Sequence, residues 1–131
     1  MPIGNFKALS RKGLEEENGS KPTRYYSKKQ EDSVAKSLGG KRNLNSGATM
    51  FSKGDVSLDD WLLECKTKTT PSESISIKKD WIQKNKEESV FMGKKHEAIV
   101  ISFGPNQPNY YLVDENLFKL LVEYLKIKEE D

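Results

Sequence analysis

Residues 54–68, GDVSLDDWLLECKTK, limit the fold more tightly than any other stretch of the chain. Val56-Ser57-Leu58 and Trp61-Leu62-Leu63-Glu64-Cys65-Lys66-Thr67 are apolar-rich runs on either side of Asp59-Asp60, a pattern that predicts a β-hairpin. Asp-Asp is not the favoured Asn-Gly turn, so a slightly longer loop stays open. If residues 59 and 60 alone make the turn, Leu58 pairs with Trp61, Ser57 with Leu62 and Val56 with Leu63. The same count sets Asp55 opposite Glu64. Side chains alternate along a strand, so Cys65 shares a packing face with Val56, Leu58, Trp61 and Leu63. Glu64 and Lys66 project from the other face.

Directly opposed residues have Cβ atoms about 4.5–5.5 Å apart, and two like charges there are destabilising. Such a pair needs a counter-charge, and a divalent cation held by oxygen ligands is the natural one. Glu64-Cys65-Lys66 is the only acid-x-lysine triplet in the chain, and it lies in an apolar strand where charges are uncommon unless paired. The competing reading is an edge-strand salt bridge, with Glu64 and Lys66 in solvent.

Around the hairpin the pattern alternates between helix and strand. Residues 1–24 lack apolar periodicity and contain Gly4, Gly13, Gly19 and Pro22, which reads as a flexible basic arm. A first helix is expected to open at Ser27 with a capping box to Gln30, bury Val34, Ala35 and Leu38, and stop at Gly39-Gly40. Residues 41–53 read as loop, with a strand entering near Thr49-Met50-Phe51. A second helix is expected over Ile77 to Met92, capped by Ser76 and followed by Gly93. Residues 97–103 form a strand buried on both faces, and Asn109–Val113 returns as another. A last helix carries Leu117, Phe118, Leu121, Val122 and Leu125 on one face. The expected architecture is α/β: a mixed sheet flanked by helices, in one domain spanning residues 25–131.

The chain has 131 residues, 34% hydrophobic and 32% charged, so the core is modest and the surface heavily charged. No apolar run reaches the roughly 18 residues of a spanning helix. The opening MPIGNFKALSRKG lacks the apolar stretch of a secretory signal, and the single Cys65 leaves no internal disulfide and no zinc cluster. A reducing cytoplasm is the simplest expectation. There is no Walker loop and no dinucleotide fingerprint, and His96 stands alone, which leaves no Ser-His-Asp set. Net charge is only +2, yet residues 1–45 carry ten Lys and Arg against five Asp and Glu. That asymmetry suits either a phosphate-binding surface or a solvated arm.

Gly54-Asp55 followed by Glu64-Cys65-Lys66 resembles the Asp…Glu-x-Lys signature of the PD-(D/E)XK nuclease superfamily, with Gly54 where the name has proline. Within it the chain is most similar to archaeal-type Holliday junction resolvases and their phage relatives, over roughly residues 25–115. The resemblance implies a restriction-endonuclease-like core of α-β-β-β-α-β order and Mg²⁺-dependent hydrolysis of DNA phosphodiesters, with Mn²⁺ as a substitute. It implies that Asp55, Glu64 and the backbone carbonyl of Cys65 bind the metal and that Lys66 acts beside it. It also implies a homodimer on branched DNA in the cytoplasm of a bacterial, archaeal or phage-infected cell.

Glu31 lies on the face of the first helix that should bury. The resolvase-like pattern makes it a fourth catalytic candidate that approaches the metal, against the alternative of a charge at the helix boundary. Lys78 and Lys79 are expected in the first turn of the second helix, where cations are disfavoured unless phosphate is bound. The alternative is pairing with Asp80 or Glu73. Lys41, Arg42, Ser52 and Lys53 flank the loop leading to Asp55 and are expected to grip DNA backbone, or else to be ordinary loop residues. Tyr25 and Tyr26 read as a staple onto the first helix, Trp81 as part of a helix core face, and His96 as a surface residue.

Overall fold

A computed structural model describes residues 21–43 and 55–130. The expected strand at Thr49–Phe51, residues 1–20 of the arm expected over 1–24, and Ser52, Lys53 and Gly54 lie outside the described residues, while Thr23 and Arg24 of that arm are helical. Helix α1 is Thr23–Leu38, one turn longer at its start than the Ser27 cap implied. Pro22 precedes it, and the Pro22 carbonyl accepts the Tyr25 N–H at 2.9 Å. Gln30 does not turn back towards Ser27. Its Nε2 points inward and donates to the carbonyls of Lys66 at 3.0 Å and Val100 at 3.3 Å, and to Asn109 Oδ1 at 3.3 Å. Three internal acceptors outcompete one exposed cap. Tyr26 lies within α1 and is buried, and Leu38 is exposed although the periodicity had put it inside. Gly39, in the left-handed region at φ 71°, ends the helix as expected.

Strand β1 (Lys41–Arg42) pairs antiparallel with β2 (Val56–Leu58), Lys41 to Ser57 and Arg42 to Val56. Two charged residues carry no strand periodicity, so sequence pattern alone leaves this segment as loop. Strands β2 and β3 (Trp61–Thr67) form the expected hairpin, with Val56, Ser57 and Leu58 opposite Leu63, Leu62 and Trp61. Asp59 takes φ 47°, the positive value that a tight two-residue turn demands.

Helix α2 (Lys79–Phe91) carries the chain over to β4 (His96–Ser102), which lies parallel to β3 from Trp61–His96 through Thr67–Ser102. α2 begins two residues later than expected and Lys78, not Ser76, is its N-cap, without a side-chain hydrogen bond. β5 (Asn109–Leu112) returns antiparallel, and α3 (Glu115–Glu130) follows, its Leu117 N–H bonded to Asp114 Oδ1 at 2.8 Å.

These elements make an open five-stranded mixed sheet in the order β1-β2-β3-β4-β5. From α1 to β4 the order is α-β-β-β-α-β, its first strand lying at 41–42, whereas the extra strand was expected near residue 50, outside the described residues. On one face Val34 of α1 packs with Val56, Leu63, Cys65, Ala98 and Val100. Alternation sends Leu62, Glu64 and Lys66 to the other face, where α2 lies. Asn85 Nδ2 of α2 bonds the Ala98 carbonyl at 3.2 Å, and Ser89 Oγ bonds Glu97 Oε2 at 3.2 Å. The expected packing of α3 is not found. Leu117 is buried, but Phe118, Leu121 and Leu125 are exposed, as are Leu120, Tyr124 and Ile127.

Gln30 joins α1 to the carboxyl ends of the parallel pair. Gln30→Leu keeps the volume but strips a donor from two strand carbonyls, a loss of about 1–3 kcal/mol for buried partners left short of a bond. The expected result is a lower urea midpoint at unchanged slope; an unaltered midpoint would exclude the link.

Candidate metal centre

The ladder between β2 and β3 changes character just before Val56. The Asp55 N–H donates to the Leu63 carbonyl at 3.0 Å, although Leu63 is the register partner of Val56. Two residues of one strand thus face one of the other, the arrangement of a β-bulge, which re-aims side chains. This corrects the simple count that set Asp55 opposite Glu64. Instead Asp55 Oδ2 accepts the Cys65 N–H at 2.7 Å, while its own carbonyl accepts the Asn43 N–H at 2.8 Å. A strand residue directs N–H and C=O to the same edge, so the Cys65 carbonyl opens on the Asp55 side.

Glu64 leaves the sheet on the α2 face, and Lys66 Nζ lies 3.4 Å from Glu64 Oε2. The same ammonium sits 4.8 Å from the centroid of the Trp81 ring. Both charged side chains are half-buried, 22% exposed for Glu64 and 30% for Lys66, and β3 is the middle strand of the sheet, so the pair is a salt bridge but not one on an exposed edge strand. Burial pushes the Glu64 carboxyl up to about 7, and the negative charge of Asp55 adds to the rise against the pull of Lys66. Asp55 is also raised, by burial first, in spite of the Cys65 N–H and Lys66. Glu88 of α2 contributes further negative potential at both carboxylates.

At this centre the charges of Asp55 and Glu88 raise Glu64, while Lys66 lowers both Asp55 and Glu64 and Arg24 lowers Asp55. The donors here are hard oxygens: the carboxylates of Asp55 and Glu64 and the carbonyl of Cys65. Among the described residues no three His, Cys, Asp or Glu side chains converge as a ready-made cage. Mg²⁺ commonly takes one or two carboxylates and completes its shell with water and substrate phosphate, so this pair fits that ion. The Cys65 thiol takes no part. It is buried on the packing face, and burial drives its pKa upward, which keeps it protonated.

The remaining candidates are distributed differently. Glu31 lies buried in the middle of α1, not at a helix boundary. Its Oε1 is 3.3 Å from Arg42 Nε and its Oε2 is 3.5 Å from Arg24. It remains beside the centre: burial and then the negative charge of Asp55 push its carboxyl up, while Arg24 and Arg42 draw it down. Arg42, expected against DNA, is tied inward to Glu31 and to Asp32 at 2.8 Å. Lys41, Lys78 and Lys79 are exposed, with Lys78 capping α2 and Lys79 in its first turn. His96 is half-buried, its ring 5.1 Å from that of Trp61.

Trp81 and Glu88 were missed as neighbours of the centre. Their spacing with Asn85, four residues and then three, marks one helix face and was the signal available.

The raised carboxyls make a pH prediction for the metal-free protein. Glu64 holds its proton to about 7 in the fold against an ordinary 4.5. This stabilisation is fully present below about pH 4.5 and is lost as pH rises through about 7, a change on the order of 3 kcal/mol at about 1.4 kcal/mol per pH unit. Glu64→Gln should flatten that slope and raise the melting temperature at pH 8. Mg²⁺ or Mn²⁺ should restore stability to the wild type at pH 8 and add little at pH 5. Equal metal-induced shifts in wild type and Glu64→Gln at pH 8 would exclude Glu64 as a ligand.

Comparison with known proteins finds no matching family model, no matching curated protein and no matching solved structure.

Proposed function

We propose that this chain is a metal-dependent DNA endonuclease of the PD-(D/E)XK type, built on a restriction-endonuclease-like core and acting on branched DNA as a Holliday junction resolvase does. The observation that carries the reading is the pair of desolvated carboxylates beside Lys66: burial raises both, and the charge of Asp55 raises Glu64 further. Asp55, Glu64 and the Cys65 carbonyl would hold Mg²⁺, with Mn²⁺ as substitute. When bound, such an ion stabilises charge on the scissile phosphate and acidifies a water.

The protein's own groups do the rest. The Lys66 ammonium orients the attacking water and neutralises charge that develops on the phosphate oxygens. The Cys65 N–H fixes the Asp55 carboxylate, leaving its second oxygen for the ion. Glu31 keeps Arg42 folded inward, which braces β1 against the start of β2. The exposed Lys41, Lys78 and Lys79 contact DNA phosphates, so binding weakens as salt rises. Symmetric cutting of a four-way junction needs two centres, hence a homodimer. The exposed apolar residues of α3, or the β4–β5 edge, supply the contact surface. No helix among the described residues is long and apolar enough to cross a membrane.

The test is incubation with duplex, flap and four-way junction DNA, with and without Mg²⁺. Asp55→Ala, Glu64→Ala and Lys66→Ala should each lower cleavage by about 10²-fold or more, the scale of losing a transition-state contact. Glu31→Gln should cost less, because Arg42 retains Asp32. Equal cutting of duplex and junction would point to a nuclease of the same superfamily without junction preference. Salt-sensitive binding with no Mg²⁺-dependent product would point to a non-catalytic DNA-binding module.

A further inference from the structure

Lys66 has a neighbour that the charge pattern did not suggest. Its ammonium is bounded by Glu64 Oε2 at 3.4 Å and by the face of the Trp81 indole, 4.8 Å from Nζ to centroid. Trp81 stands in the first turn of α2, and its backbone N–H donates to the Lys78 carbonyl at 3.0 Å, which fixes where the side chain starts. Strand alternation brings Glu64 and Lys66 to one face but does not aim a flexible four-carbon stem. The positive end of a helix also repels a cation, so a lysine against the first turn of α2 requires an offsetting attraction.

We propose that Trp81 is a positioning residue that holds the Lys66 ammonium beside Glu64, where the phosphate oxygen develops charge; this rests on the nuclease reading above. An aromatic face suits the task for a chemical reason. It attracts a cation through its quadrupole but accepts no strong hydrogen bond. A further carboxylate would bind the ammonium more tightly and compete with the phosphate for it. The indole keeps the charge in position and leaves its N–H bonds available for substrate. It also covers the ammonium from bulk water, which strengthens its attraction for a developing negative charge.

Trp81→Phe and Trp81→Leu separate positioning from simple cover, because both keep apolar bulk and only one keeps a ring face. On Mg²⁺-dependent junction cleavage, Trp81→Leu should lower kcat about tenfold with KM unchanged within about twofold, and Trp81→Phe should keep at least about half of kcat. Melting temperatures of the two variants should agree. A second readout needs no activity: the ε-methylene protons of Lys66 should be shifted upfield by the Trp81 ring current in wild type, partly in Trp81→Phe and not in Trp81→Leu. Equal loss of kcat in both variants, or an unshifted Lys66 in wild type, overturns the positioning role alone. Wild-type protein that cuts no DNA overturns the nuclease reading and this proposal with it.

Discussion

The bond from the Cys65 N–H to Asp55 Oδ2, 2.7 Å long, governs how charge is arranged in this protein. It exists because a bulge takes Asp55 out of the ladder, and it ties a carboxylate to the backbone of the strand that carries Glu64 and Lys66. A hydrogen bond to a charged group contributes about 1.5–3 kcal/mol. That is enough to keep Asp55 in place but not to reverse the effect of burial, since its carboxyl still lies above the ordinary range. The cost is felt at Glu64, which is pushed up by burial and by the neighbouring Asp55. Burial and a neighbouring like charge are the conditions under which a carboxyl moves towards neutrality.

The interior of α1 supports this arrangement from the opposite face. Its buried side includes Gln30 and Glu31 alongside Tyr26 and Val34, so this helix is not a simple apolar wedge. Gln30 reaches the Lys66 carbonyl, and Glu31 draws in Arg42 at the end of β1. Asn43, the next residue, bonds Asp55 through its backbone and Ser57 through its side chain. Polar contacts from α1 therefore reach β3 directly and reach the Asp55 side through β1. Removing one partner of a buried pair is more costly than the pair is worth, which ties these residues to one another.

Much of the fold and part of the centre were legible in the sequence. The period-two pattern around Asp59-Asp60 predicted the hairpin register residue by residue, and the same alternation separated Cys65 from Glu64 and Lys66. It failed at Asp55, because a bulge is an extra residue that alternation does not register. The start of α1 was misread because Ser27 and Gln30 satisfy a local capping rule, whereas three tertiary acceptors decide where Gln30 points. The partners of Arg42, Glu31 and Asp32, are separated from it by about three helical turns of chain, beyond any local pattern. Trp81 read as core because an indole on an apolar stripe usually is, and only the fold brings it over Lys66.

The two faces of the sheet divide the work unequally. The face under α1 packs Val34, Val56, Leu63, Cys65, Ala98 and Val100, whereas α2 meets the other face with Trp81, Asn85, Glu88 and Ser89 rather than an apolar stripe. A polar helix face gains less from burial than an apolar one, at roughly 25 cal/mol per Å² of apolar surface removed from water. The centre is thus located on the side of the sheet that contributes less to the core, and a repelling carboxylate pair adds to the deficit. Anything that binds the folded state and not the open chain returns stability through mass action. On the proposed reading, a cation held by Asp55 and Glu64 would return stability on the face that α2 covers with polar side chains, which ties ligand binding to the stability of that face.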